Sequence, residues 1–244
     1  MAEKIEKVIL LEIFPYRENS NDAIIKVMNN RKIFSLLARG INKAKSKNRA
    51  NLQLGCLVEI EYFKARMSNR LSKLKRATLL TQLNYKKVEL IKFINKIILF
   101  LLAFENLNTK FIYREYIRIL KSINSLSASQ FHFTKTYLVT KLFRPFGIEP
   151  NFYSCHVCFK KNNIAYFNFT GGGYECTEHN DNNFISSKLL ELIYFSYHSY
   201  DNYIKKTDII SDEFIYRNYL MFLDANGILI TWDKVSYSSI KKGE

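Results

Sequence analysis

Cys155, Cys158, Cys176 and His179 stand at spacings that metal chemistry uses. Two residues separate the first pair and two the second, with seventeen residues between the pairs. Two intervening residues let one tight turn aim both side chains at a single point. Two such knuckles facing each other build the closed tetrahedral site that zinc prefers. Three thiolates and an imidazole leave no open coordination position, so the expected role is one structural zinc ion, with a catalytic or redox site as the alternatives. A nucleobase deaminase needs His-x-Glu ahead of its Cys pair as a proton shuttle. Here His156 is followed by Val157 and Cys158, which excludes that chemistry.

The knuckles need a chain reversal between them. Phe167, Phe169 and the triplet Gly171, Gly172 and Gly173 suit a short hairpin there. Upstream, residues 5–83 read as five short strands. Val8 to Phe14, Ala23 to Met28 and Ile33 to Arg39 are separated by turn-rich stretches at Glu18 to Asp22 and at Asn29-Asn30. In residues 56–63, Cys56, Val58, Ile60 and Tyr62 alternate with Glu59 and Glu61; a fifth run covers Leu71 to Leu83. Five strands in about 80 residues fit a small closed barrel such as an OB-fold. At Lys86 the period changes. Leu90, Ile94, Ile97, Leu101 and Phe104 form a helical stripe, and similar patterns cover Phe111 to Ile123 and Phe131 to Phe143, with Ser127 and Ser129 as candidate caps. Ser186 to Tyr197 and Glu213 to Leu223 suggest further helices, and Ile228 to Trp232 a strand. The expected fold is therefore α+β and multidomain: an OB-type barrel over 1–85, a helical domain over 86–150, a zinc-binding module over 151–182, and a C-terminal helical segment over 183–244 packing on the helical domain.

The charge is unevenly spread. Residues 1–85 carry 17 basic and 7 acidic side chains, residues 86–150 carry 11 and 4, and residues 151–244 carry 9 and 11. A positive field confined to the first two-thirds suggests a polyanionic partner there. The four cysteines, three of them in the metal motif, argue against a disulfide framework and for a reducing cytosol. Cys56 reads as a small buried hydrophobe. Met1 to Lys7 has no signal-peptide profile, and the longest apolar run, Ile97 to Phe104, is too short to span a bilayer, so no membrane association is expected.

Two basic stretches without an acid mark the barrel. Arg39, Lys43, Lys45, Lys47 and Arg49 lie between the third and fourth strands; Arg66, Arg70, Lys73, Lys75 and Arg76 follow the fourth. Such barrels bind single strands with basic side chains on phosphates and aromatic rings on bases. Phe34, Tyr62 and Phe63 are available rings, each more often core than platform. The plain alternative is a solvated loop and an ordinary charged strand face.

The arrangement resembles the bacterial DNA recombination and repair protein RecO family. Val8-Ile9-Leu10 with Tyr16-Arg17-Glu18-Asn19-Ser20 is similar to the family's opening strand and acidic turn. Leu37-Ala38-Arg39-Gly40, then Lys43, Lys45 and Ser46, is similar to its basic loop; Asn51-Leu52-Gln53 enters the fourth strand, with Leu54 where proline commonly stands. The metal motif matches the family's zinc module, with His179 in place of the more usual last Cys. The resemblance covers residues 5–180 and fades after Asn180. It implies a recombination mediator that binds single- and double-stranded DNA, anneals complementary strands, engages the C-terminal tail of single-strand DNA-binding protein, and with RecR helps load RecA onto coated strands. It also implies a bacterial cytoplasmic protein, nucleoid-associated when active.

The residues agree with a protein that does not turn over substrate. There is no nucleophile–base set and no Walker sequence, and His132 and His198 fall in helical patterns. An RNA-binding or ribosome-associated structural-zinc protein shares the same features and is the alternative reading. For an acidic partner tail ending in an aromatic residue, Arg114, Arg118 and Lys121 recur at helical spacing and can share one exposed face. A merely solvated helix face is the alternative.

Overall fold

The computed structural model describes residues 3–18, 21–67, 70–181 and 183–230. Within them the chain forms two compact units, divided between Ser125 and Leu126.

The first unit opens with five strands: β1 (Glu3–Pro15), β2 (Ala23–Met28), β3 (Ile33–Ala38), β4 (Leu57–Phe63) and β5 (Ser72–Leu79). They close into a barrel of order β1-β2-β3-β5-β4. One long strand supplies two sides of it. The first half of β1 pairs antiparallel with β4 and the second half with β2, and an irregularity between Leu10 and Glu12 bends the strand between those partners. Closure comes from β3 and β5, which run parallel at Leu36↔Ser72 and Leu37↔Lys73. The alternation expected in β4 is present: Val58, Ile60 and Tyr62 are buried, and Leu57, Glu59, Glu61 and Phe63 are less so.

Two helices complete this unit, α1 (Val88–Leu102) and α2 (Lys110–Ser122). Each is amphipathic, and its apolar stripe fixes the buried side. In α2 that side is Ile112, Tyr113, Tyr116, Ile119 and Leu120. The tyrosines carry their hydroxyls to barrel carbonyls: Tyr113 donates to Lys7 and Tyr116 to Gly55, each at 2.7 Å. Gly55 has φ +74°, and a Cβ there would stand 2.5 Å from the Ile94 side chain on α1, so only glycine allows this approach.

The second unit contains α3 (Ala128–Val139), the hairpin β6 (Ile164–Asn168) and β7 (Gly173–Cys176), and the helices α4 (Ser187–His198), α5 (Tyr200–Lys206) and α6 (Ile209–Ala225). The expected cap is found at Ser127, whose side chain accepts from Gln130 N–H while the Gln130 side chain accepts from Ser127 N–H. Helix α3 is buried along its whole length from Phe133 to Val139, and α4, α5 and α6 pack on it. The helices expected together over 86–150 are thus shared out, α1 and α2 with the barrel and α3 with the metal motif. Helix α5 was not anticipated. Of the strand considered at Ile228–Trp232, residues 228–230 take no regular structure, and 231–232 lie outside the described residues, as do residues 233–244.

Candidate metal centre and nucleic-acid interface

Backbone pairing brings the two knuckles together. Asn151 bridges Gly173: Asn151 N–H donates to Gly172 C=O at 2.7 Å, and Tyr174 N–H returns to Asn151 C=O at 3.0 Å. His156 N–H then donates to Tyr174 C=O at 2.8 Å, which lays the first knuckle along β7. A Cβ at Gly173 would fall 2.4 Å from the Asn151 carbonyl oxygen, so the last glycine of the triplet is what permits this contact. Each knuckle closes on itself, through Phe159 N–H to Cys155 C=O and His179 N–H to Cys176 C=O, both at 2.9 Å.

The four donor atoms lie within 4.8 Å of one another. Cys158 Sγ and Cys176 Sγ are 3.7 Å apart, and His179 Nδ1 is 3.8 Å from Cys155 Sγ and 3.2 Å from Cys176 Sγ. A tetrahedral ion with sulfur ligands at about 2.3 Å needs edges of about 3.8 Å. The residues therefore fit a metal ion. Among the thiols the electrostatics favour the thiolate at Cys155. Burial alone would raise the Cys155 thiol, but backbone N–H groups of Cys158, Cys176 and Val157 aimed at its sulfur outweigh that and lower it to about 6. Burial and the neighbouring thiols push Cys176 the other way. Next to Cys176 in the chain, Glu175, almost buried, accepts from Asn168 at 2.9 Å and lies 3.2 Å from His156 Nε2.

Aromatic packing anchors this module within its unit. Phe152, fully buried, stacks on Tyr197 at 4.3 Å and on Phe167 at 5.0 Å, and meets Tyr219 edge-on. His198 is part of the same packing. Its Nε2 sits 3.2 Å from the Phe152 carbonyl, and burial lowers its pKa. His198 thus lies within the second unit's packing at the end of α4. His132 is exposed on α3.

In the first unit the two basic stretches adjoin. Arg39 leaves β3 beside the start of β5, and Gly40 N–H, held by the Asp22 carboxylate at 2.7 Å, starts the loop. The loop returns along the far part of β5. Asn48 accepts from Ala77 N–H at 2.9 Å and donates to Lys75 C=O at 3.3 Å, and Asn51 accepts from Leu79 N–H at 3.2 Å. Two asparagines thus finish the hydrogen bonding of a strand that β3 reaches only at its beginning. Arg39, Lys43, Lys45, Lys47 and Arg49 are all exposed, as are Arg70, Lys75 and Arg76, with Lys73 half-buried. Arg66 is exposed on the turn between β4 and β5. A β-bulge opposite Glu61 and Tyr62 lets both Lys75 and Arg76 face outward.

Not all these cations are equally available. Lys75 contacts Glu3 and Glu61, on β1 and β4, at 2.5 and 3.4 Å, and the Glu3 carboxylate raises its pKa. The stretch is acid-free along the chain but not across the sheet; Glu61 was missed, and the pairing of β4 with β5 is the signal that could have found it. Asn48 and Asn51 were missed because a polar side chain that finishes a strand edge has no sequence period. Of the candidate rings, Tyr62 is buried, donates to Glu6 at 2.8 Å and lies 5.9 Å from Phe34. Phe63 is half-buried, with the Lys75 ammonium 6.0 Å from its centroid.

Arg114, Arg118 and Lys121 share the exposed face of α2, and Glu115 lies 3.9 Å from Arg118. Two clefts of this unit, one lined by Lys4, Glu6, Lys7, Arg31 and Tyr113 and one by Gln82, Tyr85, Lys86 and Asn124, do not include them.

Residues 1–83 match the family model "Recombination protein O N terminal", and residues 82–203 match "Recombination protein O C terminal". The chain belongs to the recombination protein O (RecO) family. That membership gives it a role in DNA recombination and repair. No curated protein sequence matches this RecO-family chain. Among solved structures it is similar to asparaginyl-tRNA synthetase of Entamoeba histolytica, at 12% identity and a TM-score of 0.31. The likeness covers 80% of this chain and 42% of the synthetase, and at that score it carries no argument. Among the described residues, no helix of this RecO-family chain is long and apolar enough to cross a membrane.

Proposed function

We propose that this RecO-family chain is a recombination mediator without enzymatic turnover. In this reading the barrel is an OB-fold that binds single- and double-stranded DNA and anneals complementary strands. Together with RecR, the protein helps load RecA onto strands coated by single-strand DNA-binding protein. The observation that carries the reading is the side-by-side course of the loop 39–51 and β5, tied by Asn48, which gathers cations from two separate stretches on one side of the barrel. Phosphate contacts from such a surface are tolerant of sequence, as annealing of arbitrary strands requires. The metal is a single zinc ion held by Cys155, Cys158, Cys176 and His179. It supplies structure: with all four positions filled by protein, it ties the two knuckles to the hairpin.

The acidic tail of single-strand DNA-binding protein is assigned to the exposed face of α2, where Arg114, Arg118 and Lys121 would meet its carboxylates. The deciding experiment measures annealing of complementary oligonucleotides, bare and coated with single-strand DNA-binding protein. Acceleration in both cases is expected. Binding of structured RNA with no annealing of DNA would sink the reading in favour of an RNA-binding zinc protein. Charge reversal at Arg114 and Arg118 should weaken binding of a tail peptide, and unchanged binding would remove these residues from the assignment.

A further inference from the structure

The first metal knuckle carries a residue that its backbone does not favour. Phe159 closes the Cys155–Cys158 turn in the left-handed conformation, at φ +61°. Glycine adopts that conformation freely and asparagine with little cost, whereas a bulky aromatic residue there is an outlier that strains the chain. Burial of the ring does not compensate, because Phe159 is 71% exposed. The position is not loose, since Phe159 N–H is bonded to Cys155 C=O and the following carbonyl, Lys160 C=O, accepts from Cys155 N–H at 2.8 Å. A rigid turn therefore holds an aromatic ring out in water at a cost to the fold. Lys160 and Lys161 follow directly; Lys160 reaches Glu178 at 2.9 Å, and both are exposed. Six residues earlier Tyr153, 61% exposed, presents a second ring from the same segment.

We propose that Phe159 is a stacking platform for an unpaired nucleobase of single-stranded DNA, with Lys161 beside it for an adjoining phosphate. The inference rests on the DNA-binding reading above and adds a contact in the metal-bearing unit. An exposed ring with a neighbouring ammonium group is the combination that single-strand binding surfaces use, and a ring accepts any base because every base has a π-face. A rigid mount lowers the ordering cost of the stack.

The test uses the full-length, metal-loaded chain and an oligonucleotide carrying 5-iododeoxyuridine. Irradiation should cross-link the oligonucleotide to the peptide containing Phe159. Phe159→Asn removes the ring while suiting the left-handed turn; it should keep metal content and thermal stability, lose that cross-link and bind single strands about fivefold or more weakly. Phe159→Tyr should restore both. Cross-links confined to barrel peptides, together with unchanged affinity of Phe159→Asn, would overturn the proposal and leave the ring to a protein partner. That result is distinct from failure of the barrel reading, which appears as unchanged affinity when Lys43, Lys45 and Lys47 are reversed to Glu. Absence of single-strand binding by the unaltered chain would sink both.

Discussion

Asn48 grips the backbone of β5 on both sides of Arg76, accepting from Ala77 N–H at 2.9 Å and donating to Lys75 C=O at 3.3 Å. The side chain stands in for a neighbouring strand, and it fixes where Lys47 and Arg49 lie relative to Arg76. Asn48→Ala should leave a partly buried N–H without its partner, at about 1–2 kcal/mol of stability. It should also weaken single-strand binding although it removes no charge. Thermal unfolding and fluorescence anisotropy on one preparation check both. Lower stability with unchanged DNA affinity would mean the loop cations need no such placement.

Reversal of Lys43, Lys45 and Lys47 to Glu should weaken binding to all sequences alike and flatten its dependence on salt. Every phosphate that the protein no longer neutralises takes about 0.7 off the slope of log K against log salt for a single strand. The cross-strand carboxylates make a finer prediction. Arg76→Ala should reduce the slope more than Lys75→Ala, because Glu3 and Glu61 already neutralise Lys75. The opposite order would show that DNA displaces those carboxylates.

Purified protein should carry about one zinc ion per chain, measurable by elemental analysis. Chelation or Cys176→Ser should lower the melting temperature of the second unit, because metal binding and local folding are coupled. A metal-free preparation of unchanged stability would refute a structural role.

Asp212, on the first turn of α6, is almost wholly buried and accepts from the Tyr203 hydroxyl at 2.7 Å. Burial raises its pKa to about 6, against the pull of the Tyr203 and Thr136 hydroxyls and of Lys135. The folded-state value lies above the unfolded one, so folding favours the protonated carboxyl. The contribution is fully present below about pH 4 and is lost as pH rises through about 6. A shift of about two units corresponds to roughly 3 kcal/mol at most. Asp212→Asn should gain stability relative to the unaltered chain as pH rises from about 4 to 7. A constant difference across that range, measured by denaturant unfolding, would sink the assignment.

Much of this arrangement was legible because it is periodic. The β-branched run marks β2 at its observed bounds, and β4 and α2 show their buried faces through alternation and a helical stripe. The metal motif was legible because its chemistry is local, two residues between ligands at each knuckle. What stayed hidden depends on distant partners. β1 begins at Glu3, before the expected Val8, because its charged first residues pair with β4 rather than bury themselves. The pattern over Phe131 to Phe143 marks helix α3 but not its burial on all sides from Phe133 onward, which comes from the helices that surround it. The seven residues of α5 are too few to display a period. The bulge that turns Lys75 and Arg76 outward together arises from registration with β4, which no stretch of β5 alone encodes.

The parallel contact between β3 and β5 also sets an order of events at the ribosome. A nascent chain that has emerged only to Phe63 holds β1 to β4 but cannot close the barrel, because the strand joining β3 to β4 has not been made. Even after Leu79 emerges, the Tyr113 hydroxyl that reaches Lys7 is still missing, a contact spanning 106 positions. At about 5–20 residues per second, the open edges of β3 and β4 stay exposed for seconds, the interval in which strand edges mispair and chaperones intervene. Truncations ending between residues 63 and 79 should therefore bind holdase chaperones, and a chain ending at Ser122, with the barrel closed and the Tyr113 contact made, should bind them less.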